Sequence, residues 1–296
     1  MKRTISVLSI FVMLTLYCIA LGEEHLSAEP SMEGGTIVRV YESGTLDFTV
    51  ERFVYHGARC YLTRLWMEDP SVQIEKGTST WHKNLMYPSD QAKRLPVKAM
   101  VVINGSGFVS PQYPEIPDNY PGKSSDYFYT PLGSLTITNG EIFRNLQGVP
   151  YYGITLEADG LHMYVGEDNE AVIARNPLQT WSFYTGCPLV LGDENLVDTT
   201  WRFANEQNIR TIVGRMPDDT VILLTVTAKE NAGLTMIDCA DFLIEQLQPL
   251  WAFNLDGGPS TALLVRPEPS RKMKTVYGNI VKNVDIMAFC EKQEGK

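Results

Sequence analysis

Short runs of β-branched and aromatic residues, separated by glycine, proline and asparagine turns, recur along most of the chain and predict a strand-rich protein. Thr36–Tyr41, Leu46–Tyr55 and Cys60–Met67 partly alternate polar with apolar positions and predict strands. Thr80–Leu95 predicts a short helix, broken or begun where Pro88 and Ser89 precede Asp90. Val97–Ile103 is almost continuously apolar, as a buried strand should be, and delivers the chain into Asn104-Gly105-Ser106-Gly107-Phe108. Asn139-Gly140 between Leu135–Thr138 and Glu141–Phe143 is a hairpin signal. Further short strands are expected at Gly153–Glu157, His162–Val165, Ala171–Ala174, Ser182–Tyr184 and Pro188–Leu191.

The last third is the most regular. Arg210–Arg215 and Val221–Thr227 read as strands around an Asp218-Asp219 turn. Thr235 caps a helix over Met236–Leu247, with Ile237, Ala240, Leu243, Ile244 and Leu247 near helical spacing and Pro249 ending it. Trp251–Leu255 is another apolar strand, running into Asp256-Gly257-Gly258. Together these patterns predict an α+β fold: one strand-rich domain over residues 36–292, with a mixed sheet and few helices. The loop Pro111–Pro131 holds five prolines and the aromatics Tyr113, Tyr120, Tyr127, Phe128 and Tyr129. A loop of that length is usually functional or poorly ordered, and on the functional reading its aromatics are expected to border a site.

The N-terminus changes the cellular picture. Met1-Lys2-Arg3, an apolar run from Ile5 to Gly22 and then Glu23-Glu24 read as a secretory leader over residues 1–22, followed by a flexible stalk over 23–35. An uncleaved leader acting as an anchor is the competing reading, and the only membrane association expected. Cleavage places the protein outside the cytoplasmic membrane, secreted or at the cell surface. It also removes two basic and no acidic residues, taking the net charge from −10 to −12. Such a surface repels polyanions, so nucleic acid is not an expected partner. The four cysteines beyond the leader, Cys60, Cys187, Cys239 and Cys290, have no zinc-like spacing, so no metal is assigned and the cofactor is unknown. Disulfides and buried free thiols both fit them.

Chemistry concentrates in two turns. Asp256 at a strand end, followed by Gly257, Gly258, Ser260 and Thr261, places a carboxylate beside backbone N–H groups able to hold an anion. The same residues also make an ordinary turn. Asn104, likewise at a strand end, can both donate to and accept from a sugar or phosphate. Arg210 could present a guanidinium to a phosphate. There is no GxSxG elbow or phosphate-binding P-loop, and His56, His82 and His162 lie outside these turns. Acid–base work therefore falls to carboxylates.

Taken together the segments resemble the phosphodiester glycosidase family. The matching pieces, in order, are Val101–Phe108, Gly133–Gly140, Gly186–Val190, Arg210–Gly214, Gly233-Leu234-Thr235, the signature Asn254-Leu255-Asp256-Gly257-Gly258-Pro259-Ser260-Thr261, and a closing strand near Lys282-Asn283-Val284. Pro259 replaces the family's usual third glycine, stiffening the turn and removing a donor. After Val221–Thr227, where many members carry Gly-Arg, this chain has Ala228-Lys229-Glu230, and Lys229 supplies charge without the arginine fork.

The resemblance implies hydrolysis between the anomeric carbon of a sugar and a phosphodiester oxygen, on envelope or extracellular glycans. On that reading Asp256 is the catalytic carboxylate, Arg210 the phosphate clamp and Glu230 a second carboxylate. Asn104, Gly105, Phe108, Asn254, Gly257, Gly258, Ser260 and Thr261 line the substrate site. The rival reading is a non-catalytic cell-surface domain of the same fold that binds glycans or scaffolds a complex.

Overall fold

The computed structural model describes residues 26, 29–79, 85–109, 130–131, 133–183, 187–228 and 232–292. The leader, Lys229, Glu230, residues 80–84 of the first expected helix and most of the Pro111–Pro131 loop therefore lie outside the described residues. Among the described residues strand accounts for 47% and helix for 14%, so the protein is mostly β, broadly consistent with the strand-rich α+β expectation.

Three sheets carry the fold. The first has eight strands in the order Thr36–Tyr41, Leu46–Tyr55, Ala58–Met67, Val221–Val226, Arg210–Arg215, Trp251–Asn254, Pro188–Leu191 and Glu194–Asn195. The second runs Lys274–Gly278, Ala262–Val265, Ala99–Asn104, Asp285–Cys290 and Ile74–Thr78. The third runs Gly160–Glu167, Tyr151–Glu157, Gln179–Ser182, Leu135–Thr138 and Glu141–Asn145. Every ladder among the described residues is antiparallel, which corrects the expectation of a mixed sheet. Nearly continuous apolar runs mark burial on both faces and not strand direction. Here they arise from antiparallel strands covered on both faces. In the second sheet Val101, Ile103, Met287 and Phe289 face the main core. Ala99, Val102, Ile286 and Ala288 face a smaller apolar layer that includes Ala92 of the short helix Pro88–Ala92.

Local chemistry sets the turns. His56-Gly57 and Asn139-Gly140 both take positive φ, the backbone that a two-residue hairpin between right-twisted strands requires. Thr235 accepts from the Asp238 backbone N–H while the Asp238 carboxylate accepts from the Thr235 N–H, a capping box that starts the helix Met236–Phe242. The helix widens into a π-helical turn over Leu243–Leu247 and stops at Gln248, in the left-handed region before Pro249. Its Met236, Cys239, Ala240, Phe242 and Leu243 join the main core. Ala171–Ala174, expected as a strand, lies in the helix Asn169–Ile173 and its cap, where Asp168 accepts from the Glu170 N–H. Four residues are too few for their period to separate strand from helical turn.

At the N-terminal end, Ser31 and Met32 donate their backbone N–H groups to the buried Glu51, so the described part of the expected stalk is tied to the body. All four cysteines beyond the leader are buried free thiols. No described helix is long and apolar enough to cross a membrane.

Candidate functional site

The two turns singled out in the sequence meet where the sheets converge. Asn104 ends a strand of the second sheet and is fully buried. Its Nδ2 donates to the Asp256 carbonyl at 2.7 Å, and its Oδ1 accepts from Thr211 Oγ1 at 2.7 Å and the Ala262 N–H at 3.0 Å. In return the Asp256 N–H donates to the Gly105 carbonyl at 3.2 Å. The Asp256 backbone is thus held from both sides by the Asn104-Gly105 turn. With both acceptor directions and one of its two N–H bonds engaged and no exposed surface, Asn104 positions Asp256 rather than facing a substrate.

The third sheet closes the junction. The Gly107 N–H donates to the Ser182 carbonyl, Ser106 Oγ accepts from the Ser182 N–H, and Trp181 Nε1 donates to the Ile286 carbonyl. The glycines are forced by space. A Cβ on Gly105 would lie 2.2 Å from Asp285 Oδ1, one on Gly107 1.9 Å from the Phe183 ring, and one on Gly257 2.6 Å from the Ile209 carbonyl oxygen.

Asp256, Gly257, Gly258, Ser260 and Phe108 keep part of their surface open. Asp256 Oδ1 accepts from the Gly257 N–H at 2.9 Å, and Ser260 bonds the same carboxylate. Burial pushes the Asp256 carboxyl up to about 7, the nearby Asp285 adds to the rise, and the Ser260 and Gly257 hydrogen bonds pull against it. A carboxyl poised near neutrality at an open strand end can exchange a proton or stabilise positive charge.

The remaining candidates divide. Asn254 and Thr261 are buried. Asn254 Nδ2 donates to the Leu255 carbonyl, and Thr261 Oγ1 lies 3.2 Å from Thr211 Oγ1. Both brace the turn. The expectation that the turn's N–H groups hold an anion is not met. Gly257 donates to Asp256, and Gly258, Ser260 and Thr261 donate to the carbonyls of Ile209, Gly257 and Gly258. Pro259 has no N–H to offer.

Arg210 calls for the largest revision. Strand alternation sends it to the face opposite Thr211. There it is buried, with Nε donating to the Leu234 carbonyl at 3.2 Å and Nη2 to the carbonyls of Phe203 at 2.8 Å and Glu206 at 2.6 Å. A guanidinium holding three backbone oxygens is a structural clamp, not a free fork for phosphate. Glu230 lies outside the described residues.

Three residues at this junction were not singled out from sequence. Thr211 is the neighbour of Arg210 in the motif already noted, and alternation would have nominated it. Asp285 and Lys76 are a fully buried ion pair at 3.3 Å. Asp285 follows the quoted Asn283-Val284, but nothing in the pattern around Lys76 marks it as buried. Elsewhere, Glu157, Asp159 and His162 bring potential metal ligands within 4.8 Å of one another. Arg175, Thr155 and Tyr164 already occupy the Glu157 carboxylate, so the group reads as a polar network of the third sheet.

Comparison with known proteins agrees with this geometry. The phosphodiester glycosidase family model matches residues 98–286, which contain both turns and all three strands that Asn104 ties together. The fold is similar to the catalytic domain of zebrafish N-acetylglucosamine-1-phosphodiester alpha-N-acetylglucosaminidase, auto-inhibited by its pro-peptide. The TM-score is 0.60 and the identity 19%, over 87% of this chain and 88% of that one. It is also similar to a hypothetical protein from Synechocystis, with a TM-score of 0.57 and 12% identity, over 90% of this chain and 64% of that one. No curated protein sequence matches the chain at a significant level. With the family model spanning more than half its length, the chain belongs to the phosphodiester glycosidase family.

Proposed function

We propose that the protein is an exported hydrolase that cleaves the bond between a sugar's anomeric carbon and a phosphodiester oxygen. The observation that carries the reading is Asp256, its backbone held by Asn104 and Gly105 at an open strand end and its carboxyl raised to about 7. A phosphodiester is a good leaving group and needs little protonation. The demand on the site is to stabilise an oxocarbenium-like centre or to activate water, and a single carboxylate serves either purpose. Ser260 and the Gly257 N–H hold that carboxylate in place, and Phe108 offers an apolar edge to the sugar. Arg210 is reassigned from phosphate clamp to a support of the strand that carries Thr211. Glu230 keeps its proposed place as a second carboxylate.

One observation favours the rival reading of a glycan-binding domain: neither Arg210 nor the N–H groups of the signature turn are available to a phosphate. Purified protein tested on a panel of sugar-1-phosphodiesters separates the two. The hydrolase reading expects a free reducing sugar, whereas binding without release supports the rival.

The carboxylate role fixes the pH dependence. If Asp256 acts ionised, kcat/KM rises with pH through about 7 and then levels off. An anionic phosphodiester bound beside it disfavours its charged form, so the rise in kcat is displaced to higher pH than that in kcat/KM. Paired pH–rate profiles check this. Activity that falls through neutrality would make Asp256 a proton donor instead.

A further inference from the structure

Beneath the Asn104-Gly105 turn lies the buried Lys76–Asp285 pair, which neither the family signature nor the proposed chemistry uses. We propose that this pair is the positioning unit of the site: it locks the Asn104–Gly107 turn and directs the negative end of an ion pair toward Asp256. The proposal rests on the reading of Asp256 as the working carboxylate.

The geometry is specific. Asp285 Oδ1 accepts from the Ser106 N–H at 2.6 Å, and its Oδ2 accepts from Ser106 Oγ at 2.9 Å and pairs with Lys76 Nζ at 3.3 Å. The Asp285 backbone carbonyl also accepts from the Gly105 N–H at 3.2 Å. Gly105 in turn accepts from the Asp256 N–H, so this one residue is held between the two aspartates. Lys76 is anchored from behind, donating to the Thr180 carbonyl with its Nζ 5.7 Å from the centre of the Trp181 ring. Both members have side chains without solvent exposure.

Burying an ion pair carries a large desolvation cost, and apolar residues of similar volume often serve stability as well or better. The pair therefore calls for a role beyond stability. Burial drives Asp285 up and Lys76 down in pKa, while each partner and the two Ser106 bonds counter this by favouring the charged forms. Among the described residues, the titratable groups facing Asp256 are Asp285 from the second sheet and the Cys187 thiol beside the first, which burial keeps protonated. Burial is the larger cause of the Asp256 rise, and Asp285 is the charge that adds to it, so its removal should lower the Asp256 pKa.

The test titrates Asp256 directly in full-length mature protein labelled with carboxyl-¹³C aspartate, its signal identified by loss in Asp256→Asn. The wild-type midpoint is expected near 7. In Asp285→Asn the midpoint should move toward acid by at least about half a unit, because a buried like charge has been removed. The midpoint of kcat/KM should move with it. Because Asp285→Asn strands the Lys76 ammonium, which itself favours the Asp256 carboxylate, the double variant Lys76→Met/Asp285→Asn is measured beside it and should give an acid shift that is smaller but in the same direction. An unmoved Asp256 midpoint in either folded variant overturns the proposal. Absence of hydrolysis by the wild type would count against the catalytic reading alone, since the titration does not depend on turnover.

Discussion

Asp256→Asn is expected to lower kcat by about 10²–10⁴-fold while KM stays within about threefold. The substitution is nearly isosteric, and the amide oxygen can still accept from the Gly257 N–H that now bonds Oδ1 at 2.9 Å. The backbone clamp on Asp256, built from Asn104 and Gly105, does not involve the side chain. What is lost is the charge and the ability to exchange a proton. If those act on the developing positive centre or on the attacking water, ground-state binding is little changed. Stability provides a check on folding. A carboxyl raised to about 7 favours the native state fully only below its unfolded value near 3.8, and that advantage fades as pH rises through 7. Asp256→Asn should therefore match the wild type in stability near pH 4 and exceed it at pH 8. Near-wild-type turnover in a folded Asp256→Asn variant would remove Asp256 from the chemistry.

Arg210→Lys is expected to destabilise the fold by about 2–4 kcal/mol and to depress activity on charged and uncharged substrates alike. A lysine cannot reach the Leu234, Phe203 and Glu206 carbonyls together, so buried acceptors lose their donors. Calorimetry reads the first effect as a fall in Tm. The second comes from comparing a sugar-1-phosphodiester with an aryl glycoside of the same sugar. Equal fractional losses on both are expected from a structural clamp. A loss confined to the phosphodiester, with Tm unchanged, would restore Arg210 to the phosphate.

Much of this architecture could be read from the chain because local rules governed it. The Asn139-Gly140 hairpin, the Thr235 cap and the buried strand ending at Asn104 each follow from a few neighbouring residues. Sheet polarity did not follow, because an apolar run reports burial on two faces and not the direction of the neighbouring strand. The signature turns were found, yet their division of labour was not. Asn104 is chemically suited to a sugar, and only its three contacts across two sheets reveal it as a brace. Arg210 misled for a related reason, since its charge suggested phosphate while strand alternation turned its neighbour Thr211 toward the site. Lys76 and Asp285 are 209 positions apart, and their pairing depends on strand order that no local pattern encodes.

The central claim concerns which bond breaks, and hydrolysis of a sugar-1-phosphodiester in ¹⁸O-enriched water tests it most directly. Cleavage between the anomeric carbon and oxygen places the solvent oxygen on the anomeric carbon, leaving the phosphate monoester with its original oxygens. Mass spectrometry of both products should find the label in the reducing sugar and none in the phosphate. Label in the phosphate, or no sugar released from any member of the panel, would contradict the account.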